Sequence, residues 1–141
     1  MLKLRVGVLE QHNIVRHGLY THLSRQSVLC LSEFFNFADM LEALEQEQLD
    51  VLMIGHLMDR EPCHLVRSLS TRYPDLKVLV LLNSPDPAIA AQLRAMGAHG
   101  VMSKTQPLPD YVDALRSLAR GERYAMASDG QVNMEKPRYD P

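Results

Sequence analysis

A chain of 141 residues, 46% hydrophobic and 23% charged, has the size and composition of one soluble globular domain with a single buried core. Its net charge of −2 leaves no positive field with which this chain could itself grip nucleic acid or an anionic membrane. No apolar run approaches the roughly 20 residues of a membrane-spanning helix, and the opening MLKLRVGVLE turns acidic too early for a secretion signal. Cys30 and Cys63 lie far apart with no metal-ligand spacing, so a cytoplasmic protein with reduced thiols is expected.

Along the chain, short apolar runs alternate with segments of helical period. Leu4 to Leu9 reads as strand one. Ile14, Val15, Gly18, Leu19, His22 and Leu23 then form one face of a helix, with Asn13 as its expected N-cap. Val28 to Leu31, running on toward Phe35, is a weaker strand two. Helix two begins at Ala38 and ends in EQEQ.

Val51 to Ile54 is strand three, and Leu65, Val66, Leu69 and Tyr73 mark a helix stopped by Pro74. Lys77 to Leu82 is continuous enough to be buried on both faces, as in a parallel sheet. Asp86-Pro87 opens helix four and Gly97 ends it. Val101 to Ser103 is strand five. Helix five starts at Pro109, carries a stripe of Val112, Leu115, Leu118 and Ala119, and closes at Gly121.

The sum is a (βα)5 α/β domain over residues 1–124, a single parallel five-stranded sheet with helices on both faces. A flavodoxin-like strand order of 2-1-3-4-5 follows. Residues 125–141 are polar and aperiodic, and read as a tail or the start of an interdomain linker.

In this topology the carboxyl ends of strands one, three, four and five share one crevice. It gathers Glu10, Gln11 and His12, Gly55 and His56, Leu82 and Asn83, and Ser103 and Lys104. At this point VGVLEQHNIVRHGL, LDVLMIGHLM, RYPDLKVLVL, RAMGAHGVMSK and YVDALRSLARGERY, in that order, make a specific pattern. Over about the first 124 residues the chain resembles the CheY-like receiver domains of two-component response regulators, in the branch attached to LuxR-type DNA-binding domains.

The resemblance implies a four-part phosphorylation site. A carboxylate pair after strand one holds Mg²⁺, which wants oxygen ligands. An aspartate ending strand three is the acceptor, a Thr or Ser ending strand four binds the product, and a Lys ending strand five neutralises its charge. Here the pair becomes Glu10 and Gln11, the acceptor becomes Gly55, the hydroxyl becomes Leu82, and only Lys104 survives. The aromatic that often reports phosphorylation on strand five becomes Val101. Asp50 belongs at the opposite sheet edge, at about 3.3 Å per residue. Asp59 would need its loop to fold back.

Other candidates are weaker than their bland readings. Alternation along a strand turns His56 away from a crevice that Gly55 faces, toward solvent or a helix. Glu10, His12 and His56 have metal-binding identities but no recognised spacing, so no metal or other cofactor is expected. Cys63 and His64 read as ordinary helix-three residues. Replacing the acceptor by Gly and the hydroxyl by Leu suggests a roomier, more apolar crevice.

These readings imply a degenerate receiver, not an enzyme, that regulates without phosphorylation through protein contacts. Its expected setting is the N-terminal part of a LuxR-type transcription regulator, with DNA bound only through a further C-terminal domain. Expected partners are another protein or a second copy, met through helices one and five or helices four and five, with Tyr111, Arg116 and Arg120 as candidate interface residues. The alternatives are a stand-alone interaction protein that titrates a signalling component, and a small-molecule sensor using the altered crevice.

Overall fold

Strands and helices alternate along residues 3–58 and 60–125, the part of the chain that the computed structural model describes. In chain order they are β1 (Leu4–Leu9), α1 (Asn13–Leu23), β2 (Leu29–Phe34), α2 (Phe37–Gln46), β3 (Val51–Ile54) and α3 (Pro62–Arg72). Then come β4 (Lys77–Leu82), α4 (Pro87–Met96), β5 (Gly100–Ser103), α5 (Leu108–Ala119) and β6 (Tyr124–Ala125). All strand pairings are parallel, in the order β2-β1-β3-β4-β5-β6, with helices on both faces of the sheet.

The expected five-strand order is therefore present, extended by a sixth strand of two residues. Two residues are too few for any period to register. Tyr124 is held there by its backbone N–H, which donates to the His99 carbonyl at 3.1 Å. The expected tail begins at Ala125, which belongs to this strand. Residues 126–141 and Asp59 lie outside the described part.

The central strands form where their sequences are wholly apolar. Every residue of β3 is buried, as are Val78 to Leu81 of β4. At about 25 cal/mol per Å² of apolar surface removed from water, such runs supply the main stabilisation of the sheet. Asn36, Glu61 and Asp86 cap α2, α3 and α4 by accepting from the backbone N–H groups of Asp39, His64 and Ile89. Gly97 ends α4 at φ 120°, a left-handed conformation open to glycine.

Two helix ends differ from expectation. Asn13 is the first residue of α1, and the cap position belongs to His12, whose side chain makes no capping bond. Ile14 is 87% exposed, so the first turn of α1 does not bury the residue that opens its apolar stripe. On α5, which begins at Leu108 with Pro107 as its cap, Ala119 faces solvent and Ala114 joins Leu115 and Leu118 in the core. No described helix is long and apolar enough to cross a membrane.

Candidate functional site

The parallel register sets the strand ends level. Leu9 pairs with Ile54, Ile54 with Val80, and Leu82 with Ser103. Glu10, Gln11, Gly55, Leu82 and Lys104 consequently meet at one edge, as the sequence implied.

Glu10 is completely buried. A carboxylate in that position is stable only when its charge is compensated, and three groups compensate it. The His12 backbone N–H donates to Oε2 at 2.7 Å, and the His56 backbone N–H donates to Oε1 at 2.8 Å. Lys104 Nζ stands 2.9 Å from the same Oε1. This last contact is an ion pair without hydrogen-bond alignment, and the buried ammonium has no hydrogen-bond partner among the described residues.

The glycine at the acceptor position now has a physical reason. Its φ is not left-handed, so freedom of the backbone does not require it. A Cβ built on Gly55 would collide with Glu10 Oε1 and come within 2.9 Å of Glu10 Cδ. The Glu10 carboxylate lies where the side chain of residue 55 would begin. The roomier crevice expected from the sequence is thus corrected, since the long carboxylate of Glu10 occupies the space beside Gly55.

The remaining positions close the crevice. Leu82 is half-buried and accepts only through its carbonyl, from the Lys104 N–H at 2.7 Å. Val101 is fully buried. The Gln11 backbone N–H donates to the His56 carbonyl at 2.9 Å, and its Oε1 accepts from the Met58 N–H at 2.6 Å. That side chain therefore ties the loops after β1 and β3 together. Ser103 is buried, with its hydroxyl 2.6 Å from Thr105 Oγ1.

The His56 ring packs on His12, not on a helix. The two rings stack 4.0 Å apart and 2° from parallel. His12 Nδ1 is 3.6 Å from Glu10 Oε2, whose oxygens are already engaged. Among the described residues no group of three or more His, Cys, Asp or Glu is disposed to hold a metal ion.

Sequence reasoning missed Arg16. Its guanidinium donates to the Glu10 carbonyl at 2.8 Å and to Asn13 Oδ1 at 2.9 Å, pairs with Glu33 at 3.3 Å, and covers the Phe35 ring. The signal was its place one helical turn after His12, where a long cation reaches back over the strand end.

Asp50 sits at the opposite sheet edge, accepting from the Arg5 N–H at 2.8 Å. The candidate interface on α5 is corrected in one member. Tyr111 is 3% exposed rather than on the polar side, and burial, aided by Asp110 and Tyr124, pushes its phenol up to about 12. Arg116 and Arg120 are exposed, and Arg120 pairs with Glu122 at 3.2 Å.

No protein-family model matches the chain. Among curated proteins it is 26% identical to the transcriptional regulatory protein DegU of Brevibacillus brevis, over 86% of this chain and 52% of that protein. The response regulator GacA of Pseudomonas aeruginosa is also 26% identical, over 86% of this chain and 58% of its own length. The chain thus spans about half the length of the curated relatives it matches.

Among solved structures, the isolated receiver domain of RcsB from Salmonella enterica serovar Typhimurium superposes with a TM-score of 0.77 at 21% identity, covering 87% of this chain and 93% of that one. The receiver domain of the response regulator NarL from Mycobacterium tuberculosis gives 0.78 at 24%, covering 86% of this chain and all of that one. Another RcsB structure, described as two dimers bound to two parallel DNAs, gives 0.78 at 21%, covering 87% of this chain and 64% of that one. The fold is that of a response-regulator receiver domain, and the relatives by sequence are response regulators.

Proposed function

We propose that this receiver domain of LuxR type works without being phosphorylated, as a regulatory module held in one state and acting through protein contacts. One observation carries the reading. The Glu10 carboxylate fills the acceptor's place and is fastened there by Lys104 and by the backbone of both flanking loops. A phosphoryl group would need a nucleophile at residue 55, a hydroxyl at residue 82 and an unoccupied lysine. Gly55 and Leu82 supply neither of the first two, and Lys104 already faces a built-in anion.

The same arrangement explains why one state is expected. A switch needs a ligand that binds two conformations with different affinity. Here the anion is covalently part of the chain, so its contacts with Lys104 are present at all times. The setting that best accommodates such a module is the N-terminal part of a longer transcription regulator in which a further domain contacts DNA; one similar structure, of RcsB, is described as dimers bound to DNA. The alternative of a crevice ligand has less support, because the refilled crevice removes the space on which it relied.

The test is direct. The domain is incubated with acetyl phosphate and Mg²⁺ and its intact mass recorded, and beryllofluoride is titrated against its amide spectrum. Unchanged mass and unmoved signals at Gly55, Leu82 and Lys104 are expected. A stoichiometric, acid-labile phosphate adduct overturns the proposal.

A further inference from the structure

The two-residue strand β6 is the last described element, and from it the chain continues into residues 126–141. So short a strand pairs weakly by itself, with only Tyr124 and Ala125 in register against Gly100 and Val101. Three further contacts hold it. The Tyr124 N–H donates to the His99 carbonyl at 3.1 Å, and Arg123 donates to the Ala98 carbonyl at 2.9 Å. Gln106 Nε2 donates to the Tyr124 hydroxyl at 3.0 Å. Two of the three end on Ala98 and His99, the turn between α4 and β5.

His99 is the centre of that turn. Its N–H donates to the Val78 carbonyl at 2.9 Å, and its Nδ1 accepts from the Val78 N–H at 3.1 Å. An imidazole accepts only while neutral, because both ring nitrogens carry protons in the charged form. The charges that bear on this half-buried ring are Arg123, just before β6, and Lys77, at the start of β4. Both are cations. Protonation of His99 therefore gives up the Val78 bond and sets a third positive charge beside two others.

Opening of β6 carries Arg123 away and relieves part of that repulsion. The relation is reciprocal: if the open strand makes His99 easier to protonate, protonation of His99 makes the strand easier to open. Arg123 is itself exposed, so its bond to Ala98 has no burial to defend it.

We infer that β6 is a pH-sensitive latch, in which protonation of His99 weakens the docking of Tyr124 and Ala125 on the sheet edge through Arg123. The buried Tyr124 and its bond to Gln106 keep the strand docked at neutral pH, so what changes with acidity is how often it opens. The crevice takes no part, and the latch does not depend on whether the domain accepts a phosphoryl group.

Amide hydrogen exchange at Tyr124 and Ala125, corrected for the intrinsic pH dependence of exchange, tests it between about pH 7.5 and about pH 5.5. Protection in the wild type should fall several-fold below the ordinary histidine value of 6.5, with one proton limiting the fall to about tenfold per pH unit. His99→Asn offers an amide oxygen in place of Nδ1 and does not titrate, so its protection should stay constant. Arg123→Gln keeps a donor without the charge and should flatten the dependence. Circular dichroism verifies that each variant is folded. Constant protection in the wild type, or an equal fall in His99→Asn, overturns the inference. So does a parallel fall at Leu52 and Met53 of β3, which would belong to the whole domain. Should His99→Asn not fold, Arg123→Gln decides alone, and an undiminished dependence there overturns the latch.

Discussion

Gly55→Ala is the smallest change that probes the refilled crevice, and its cost can be worked out from the contacts. The new methyl group must displace Glu10 Oε1, since the collision is with the carboxylate and no left-handed φ is involved. Moving that carboxylate gives up hydrogen bonds from His12 and His56 and the ion pair with Lys104. Hydrogen bonds to a charged group are worth about 1.5–3 kcal/mol each. Deleting one partner of a buried ion pair outright costs more, about 3–5 kcal/mol, because the other stays behind uncompensated. Gly55→Ala keeps both partners and only shifts the carboxylate, so the expected loss is about 1.5–3 kcal/mol, the worth of one such hydrogen bond and still large for one methyl group.

Urea unfolding of four proteins separates this mechanism from general strain: wild type, Gly55→Ala, Glu10→Ala and the double variant. Glu10→Ala is itself destabilised, since it orphans Lys104 and removes the acceptor of two backbone N–H groups. In that background, however, the methyl group has no carboxylate to displace, and Gly55→Ala should cost less than about 1 kcal/mol. For a domain of this size the wild-type penalty corresponds to a drop in Tm of about 6–12 °C, at about 4 °C per kcal/mol. If Gly55→Ala costs the same with and without Glu10, or costs nothing in the wild type, the carboxylate does not occupy that space and the reasoning fails.

Two further outcomes follow from other parts of the fold. His99 Nδ1 accepts from the Val78 N–H at 3.1 Å, and burial, with Arg123 and Lys77 nearby, holds its pKa below the ordinary 6.5. The unfolded chain then takes up the proton first, so stability is full above about pH 6.5 and declines as pH falls toward the lowered folded value. Urea unfolding at about pH 7.5 and about pH 5.5 should show a smaller decline in His99→Asn, and an equal decline in both proteins contradicts the assignment. Asn36→Ala removes the side-chain acceptor that satisfies the Asp39 N–H and should cost about 1 kcal/mol by the same measurement, with unchanged stability counting against the cap.

What could be read from the sequence was what a local pattern encodes. β1, β3 and β4 were legible to the residue, because runs that are apolar but for Arg5 and Lys77 admit one reading once their length fits a strand. Asp86, Pro87 and Gly97 bounded α4 correctly, because each fixes a backbone geometry by itself. Tyr111 was misjudged for an instructive reason. It stands at i, with Leu115 at i+4 and Leu118 at i+7, so helical period alone placed it in the core. The phenol's polarity argued for the surface, but only one atom of that side chain is polar, and the apolar body followed the period. Ile14 erred the other way, since period describes a helix face and says nothing about whether the sheet extends beneath it.

The crevice shows the deeper limit. Each departure from the pattern that the resemblance implies was visible as an identity at a strand end: Gln11, Gly55 and Leu82. Reading them as independent losses pointed to an empty site. What the sequence does not carry is side-chain reach across the sheet, and Glu10 and Gly55 are 45 residues apart in the chain. Once β1 and β3 are neighbours in register, a glycine on one strand end and a long carboxylate on the other are complementary volumes. Packing density leaves no such volume unfilled at small cost. Gly55 is then not merely the absence of an acceptor. It is the residue that allows Glu10 to turn inward, and restoring an aspartate at 55 alone would set two carboxylates in one place against a single lysine. Gly55→Asp alone is therefore opposed by the Glu10 carboxylate, and the Glu10–Lys104 ion pair sets the size of that opposition.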